Sequence, residues 1–130
     1  MLFRSVISGR GSDEPRVSIA GEIVVTGRDF YDFEAKYQDE DSVDLIIPAK
    51  LTEAELAEMQ TIARRAFKSL GCEGLARVDF FLTADGFFVN EINTMPGFTP
   101  LSMFPSLWQA SGIEYADLID ELIYLALNKS

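Results

Sequence analysis

The stretch ARVDFFLTADGFFVNEINTMPGF, residues 76–98, decides the fold, because two runs of β-forming residues flank turn chemistry at Thr83-Ala84-Asp85-Gly86-Phe87. The pattern predicts a β-hairpin. With Ala84-Asp85-Gly86 as a three-residue loop and Gly86 in the left-handed conformation, Thr83 pairs with Phe87, Asp79 lies opposite Glu91, and Arg77 lies opposite Asn93. One face then carries Val78, Phe80 and Leu82 against Ile92, Asn90 and Phe88. The other carries Arg77, Asp79, Glu91 and Asn93 near the open end of the hairpin. A two-residue Asp85-Gly86 loop would set Asp79 against Ile92 and mix the faces, so segregation of the side chains favours the longer loop.

Like charges directly opposite each other destabilise a sheet, and more so beside aromatic neighbours, so a positive group is expected between the two carboxylates. Asp79, Glu91 and Asn93 are hard oxygen ligands. Glu91 and Asn93 are two apart on one strand face, which is the set Mg²⁺ takes when a phosphate completes its shell. The same four residues describe equally well a solvated face on which Arg77 neutralises one carboxylate. The residues after Asn93 favour the cation. The run NTMPGFTP leaves the strand for a loop punctuated by Pro and Gly, releasing backbone N–H groups near Gly97 from any ladder and forming an oxyanion site beside it.

The rest of the chain is consistent with one small domain. Its 130 residues, 48% of them hydrophobic, are enough to bury one core, and the expected organisation is a single domain over 1–130. A net charge of −10 without a basic run argues against nucleic acid or an anionic membrane surface as the partner. No run reaches transmembrane length, the amino terminus lacks signal-peptide organisation, and the lone Cys72 has no internal disulfide partner, so the expected location is cytoplasmic. Residues 2–7 and 17–26 read as strands around a Gly- and Ser-rich loop, and 43–47 as a short strand stopped by Pro48. Thr52-Glu53-Ala54-Glu55 is a capping box, after which Leu56, Met59, Ala63, Ala66, Phe67 and Leu70 keep helical spacing as far as Gly71. Residues 107–110 predict a short helix and 115–127 a longer one, with Leu118, Ile119, Leu122, Ile123 and Ala126 on one stripe. The class is α+β, a mainly antiparallel sheet covered by helices.

The segment GLARVDFFLTADGFFVNEINTMPGFTPLSMFPSLWQASG, residues 74–112, resembles the carboxy-terminal part of the D-alanine–D-alanine ligases of the ATP-grasp superfamily. Further matches are PRVS leading to GEI, then FYDFEAKY and IPA, so the likeness runs from about residue 4 to the end, and RVDFF joined to NEINTMPGFT is specific to the family. The resemblance implies that ATP phosphorylates the carboxylate of one D-alanine and that the amine of a second attacks the acyl phosphate through a tetrahedral intermediate. The product, D-alanyl-D-alanine, serves peptidoglycan and cell-wall synthesis. By the same resemblance Asp79, Glu91 and Asn93 ligate Mg²⁺ or Mn²⁺, and Arg77 and the Gly97 N–H hold the oxyanion. Ser102 and Met103 hold the carboxylate of the second D-alanine, and Lys36 and Tyr37 belong to a loop that closes over the phosphates. In the related D-alanine–D-lactate ligases that loop carries a histidine. This chain has none, which favours a dipeptide product.

The amino-terminal domain and the other ATP-grasp lobe of such enzymes are missing from the segment, so the chain on its own is expected to make no D-alanyl-D-alanine at a useful rate. The surfaces those parts would cover predict a polar floor rimmed by Phe81 and Val89. Residues 2–7 are expected as an edge strand, and the chain as a dimer or soluble aggregate. Two other readings are another ATP-grasp carboxylate–amine ligase, which would share Asp79, Glu91 and Asn93 but not MPGFT with Ser102, and a non-catalytic, metal-binding remnant.

Overall fold

The computed structural model describes residues 2–9, 14–25 and 43–128. Among them the chain forms β1 (Leu2–Gly9), β2 (Arg16–Val17), β3 (Gly21–Val25), β4 (Val43–Ile46), α1 (Glu53–Ser69), β5 (Gly74–Thr83), β6 (Gly86–Asn93), α2 (Met103–Ala110) and α3 (Tyr115–Leu127). All strand pairings are antiparallel, in the order β4-β3-β1-β5-β6 with β2 beside β1. Helices cover the sheet, and the α+β class read from the sequence is the one observed.

Alternation along β5 explains the layering. Ala76, Val78 and Phe80 are fully buried against Phe3, Ala20 and the helix residues Met59, Ala63 and Phe67. These three α1 residues recur every fourth position and so form one stripe. The helix is fixed at both ends. Thr52 Oγ1 accepts from the Glu55 N–H while Glu55 Oε1 accepts from the Thr52 N–H, closing the capping box. At the other end the Cys72 N–H reaches the Phe67 carbonyl and the Gly71 N–H the Lys68 carbonyl, with Gly71 at φ +67°. Leu75 points the other way from Ala76, into a second cluster built from Phe104, Leu107, Trp108 and Leu118 of α2 and α3. The charged residues of β5 lie on this second face.

Several elements depart from the sequence reading. Strand β1 is not an edge: eight residue pairs join it to β5, from Leu2 with Phe81 to Gly9 with Gly74, and β3 and β2 line its other side. The strand expected over 17–26 is split, because Ser18, Ile19 and Ala20 leave the ladder. Their backbone groups find other partners: Gln60 Nε2 donates to the Ser18 carbonyl (3.1 Å), the Ile19 N–H to Ser111 Oγ (3.0 Å), and the Ala49 N–H to the Ala20 carbonyl (2.8 Å). Helix α2 starts at Met103 rather than 107, since Pro105 falls in the first turn, where no N–H is needed. Leu70 is 62% exposed, and the α3 stripe is used only in part: Leu118 is buried and Leu122 packs on the second cluster, but Ile123 stays 53% exposed.

The hairpin tip differs as well. Thr83 pairs with Gly86, not Phe87, so the loop is the two residues Ala84 and Asp85, and Thr83 Oγ1 accepts from the Asp85 N–H at 3.1 Å. Gly86 has φ +110°, the positive value expected of it. A β-bulge between Asp79 and Phe80 leaves Asn90 without an opposite residue, and below it the pairs Asp79–Glu91 and Arg77–Asn93 fall as expected. Above it the faces are exchanged: Phe87 rather than Phe88 packs on Phe80 and Phe3, while Phe88 and Asn90 are exposed. Phe81 and Val89 are each 43% exposed, with Phe88 opposite Phe81, but the open polar floor expected between them is largely closed, since Asp79 is fully buried and Arg77 is 8% exposed.

Candidate functional site: a buried charged rung

One rung of the sheet crosses four strands through Gly21, Arg4, Asp79 and Glu91. Arg77 stands on the same face two residues away along β5 and folds back onto this rung. Its Nε donates to Asp79 Oδ1 at 2.9 Å and its Nη2 to Asp79 Oδ2 at 3.2 Å, a two-point guanidinium–carboxylate contact. The same Nη2 reaches Glu91 Oε1 at 3.3 Å. From the other side, Arg4 Nε lies 3.3 Å from Asp79 Oδ1. Arg77 therefore stands between the two carboxylates, joined by a second guanidinium. Asp79 is fully buried, Arg4 and Arg77 nearly so, and the Glu91 side chain is 41% exposed. Among the described residues the cluster sets two guanidiniums against two carboxylates, and pairing of this kind is the condition for keeping charge out of water.

Arg4 was missed by sequence reading. The available signal was a charge inside a mainly apolar strand segment, LFRSVI, which becomes a buried charge once β1 is interior.

Beyond Asn93 the chain turns into the loop. Asn93, opposite Arg77, accepts from the Met95 N–H through Oδ1 at 2.9 Å, so its amide is oriented by the turn that it starts. Gly97 lies against Ser102, where a Cβ would stand 3.3 Å from Ser102 Oγ. Ser102 is at the N-cap position of α2 but makes no cap hydrogen bond. Its hydroxyl instead accepts from the Thr99 N–H (3.0 Å) and shares a hydrogen bond with Thr99 Oγ1 (2.8 Å). Phe98 anchors the loop between the rings of Phe104 and Tyr115, and its carbonyl accepts from the Tyr115 hydroxyl at 2.9 Å. Met103 faces the sheet: its Sδ would be 3.5 Å from a Cβ at Gly21, so its side chain serves packing.

Of the predicted site residues, the structure thus brings Arg77, Asp79 and Glu91 into contact, sets Asn93 opposite Arg77, and joins Gly97 to Ser102. Lys36 and Tyr37 lie outside the described residues. Among the described residues no three His, Cys, Asp or Glu side chains gather as a metal site. The third oxygen of the expected set is an amide, and Asp79, Glu91 and the oriented Asn93 still offer hard donors on one face, which fits Mg²⁺ or Mn²⁺ with further oxygens from a phosphate. Away from the site, the Lys68 ammonium donates to the exposed Glu14 carboxylate and holds it below the usual carboxylate range, and burial pushes the Cys72 thiol up.

The family described as the D-ala D-ala ligase C-terminus matches residues 5–124 of the chain. The D-alanine–D-alanine ligase of Arthrobacter sp. (strain FB24) is 55% identical over 128 residues, covering 96% of this chain and 34% of that protein. Two solved structures share the fold. The VanG D-Ala:D-Ser ligase from Enterococcus faecalis has a TM-score of 0.80 and 33% identity, over 95% of this chain and 35% of its own. The D-alanine–D-alanine ligase from Bacillus anthracis complexed with ATP has a TM-score of 0.75 and 27% identity, over 97% and 39%. The chain spans about a third of the length of the curated relatives it matches.

Proposed function

The chain belongs to the D-alanine–D-alanine ligase family, and on that premise we propose that it is the catalytic segment of an ATP-dependent ligase joining two D-alanines. The observation that carries the reading is the rung in which Arg77 ties Asp79 to Glu91 beside Asn93. In this proposal Arg77 and the Gly97 N–H stabilise the oxyanion formed when the second D-alanine's amine attacks an acyl phosphate. A guanidinium and an amide suit that role because neither changes protonation during the step. Asp79, Glu91 and Asn93 would hold Mg²⁺ or Mn²⁺, which when bound neutralises charge on the nucleotide phosphates. Ser102 through its hydroxyl and Met103 through its backbone would receive the carboxylate of the second D-alanine near Gly97, and Lys36 and Tyr37 would close over the phosphates. The segment acts as one domain in the cytoplasm, within peptidoglycan precursor synthesis, and needs the groups that hold ATP and the first D-alanine for turnover. The exposed Phe81, Phe88 and Val89 would make the chain alone self-associate, as sedimentation velocity at two concentrations would show.

A chimera tests the reading: residues 5–124 replace the matching segment of the Arthrobacter enzyme, and phosphate release is followed with ATP, Mg²⁺ and D-alanine. D-alanine-dependent release, lost in Arg77→Met, is the expected result, and D-serine in place of the second D-alanine measures the choice of acceptor. A folded chimera without D-alanine-dependent release would overturn the proposal. In the chain itself, Glu91→Gln should weaken Mn²⁺ binding by about tenfold.

A further inference from the structure

Arg4 lies one residue before the segment matched by the family, and the proposed chemistry leaves it without a role. It is paired directly with Asp79 across β1 and β5, its side chain is 8% exposed, and its Nε is 3.3 Å from Asp79 Oδ1. We propose that Arg4 is a positioning residue whose guanidinium competes with a divalent cation for the Asp79 carboxylate, and thereby sets how tightly the Asp79–Glu91 pair takes a metal. The inference rests on the cation-binding reading of that pair.

Three observations carry it. First, among the described residues the two strands beside Arg4 offer it different neighbours. Toward β3, Arg4 is paired with Gly21, above which sit the apolar ends of Leu107 and Met103, whereas toward β5 it meets a carboxylate. Second, the two arginines are engaged differently. Arg77 contacts both carboxylates and spans the gap between them, while Arg4 approaches Asp79 from the end of the rung away from Glu91. Third, the two guanidiniums meet at one carboxylate oxygen. A divalent ion entering between Asp79 and Glu91 meets an Asp79 Oδ1 that Arg77 Nε and Arg4 Nε already approach at 2.9 and 3.3 Å. Buried charges are little screened by salt, so a cation a few ångströms away feels the full effect of Arg4.

Removing the charge should therefore tighten metal binding rather than merely loosen the fold. Mn²⁺ titration followed by electron paramagnetic resonance compares the wild-type chain with Arg4→Met, Arg4→Gln and Arg4→Lys, with thermal midpoints measured alongside. Arg4→Met and Arg4→Gln should bind Mn²⁺ about tenfold more tightly, and Arg4→Lys within about twofold of wild type. Adding Asp79→Asn should cancel the gain. In the unsubstituted chain, Mg²⁺ should shift the Arg4 Nε–H resonance together with the Glu91 carboxylate, a readout that needs no variant to fold. Unchanged Mn²⁺ affinity in Arg4→Met and Arg4→Gln with lowered thermal midpoints would show a structural counterion only and overturn the proposal, as would Mg²⁺ that shifts Glu91 and leaves Arg4 Nε–H unmoved. If Mn²⁺ binds the wild type and is lost in Glu91→Gln, such a failure belongs to Arg4 alone. If Mn²⁺ binds neither, the cation reading itself falls, and this inference with it.

Discussion

Strand β5 buries both of its faces, and the two use burial in opposite ways. Ala76, Val78 and Phe80 exchange water for the apolar stripe of α1, while Arg77 and Asp79 exchange it for each other and for Arg4. The apolar face stabilises in proportion to the area it removes from water. The charged face gains little from being formed and loses much from being broken, because any unmatched member leaves a desolvated charge behind. Low exposure therefore marks two different things on one strand, and substitution separates them better than accessibility does.

The largest effect is expected on the apolar side. Phe80→Ala should cost about 4 kcal/mol in urea unfolding, since a fully buried ring is replaced by a cavity. A loss under about 1 kcal/mol would mean that α1 does not clamp the sheet. Asp79→Asn should come next at about 3 kcal/mol, with almost no change in volume, because Arg4 and Arg77 lose their buried counter-charge. A neutral outcome would break the comparison, showing that water reaches this face. Glu91→Gln should cost about 1 kcal/mol or less, because its side chain is 41% exposed and Arg77 keeps Asp79. The smallest effect belongs to the exposed pair of Lys68 and Glu14. Because the Glu14 pKa is depressed when folded, its contribution is present above the ordinary value of 4.5 and is lost as the pH falls through the folded value. Lys68→Met should raise the Glu14 midpoint in a carbon-13 NMR titration and leave the thermal midpoint within error of wild type. An unmoved Glu14 midpoint would mean that this surface contact does not persist in solution.

Periodicity carried far in this sequence, and it failed where tertiary partners decide. The capping box at Thr52, the helix as far as Gly71 and the pairing of Asp79 with Glu91 were legible because each depends on local spacing. The hairpin tip was not: a two-residue loop with a bulge and a three-residue loop without one give the same register at the open end, and segregation of faces cannot tell them apart below the bulge. Strand β1 was misjudged because an apolar run has the same pattern at an edge as in the middle of a sheet. Arg4 went unseen for that reason, since its environment is made by β5, about seventy residues further along the chain. Ser102 was not legible as an N-cap either, because the helix was read only from 107, and its hydroxyl turns to Thr99 instead of to the helix.

The bulge at Asn90 also divides the hairpin into two parts that differ in which β6 residues face the core. Below it, the position of Asp79 is fixed by the continuous ladder between β1 and β5, and Glu91 is held by Arg77. Above it, β6 runs to a tip of two exposed residues, Ala84 and Asp85, with no part in either core cluster. Length added at Ala84 and Asp85 projects into solvent, because an exposed tip tolerates insertion while Leu82 and Phe87 keep the strands beside it on the core. Residues 84 and 85 are thus a natural port in the molecule, where a fluorophore tag or an affinity peptide can be spliced in without moving the charged rung.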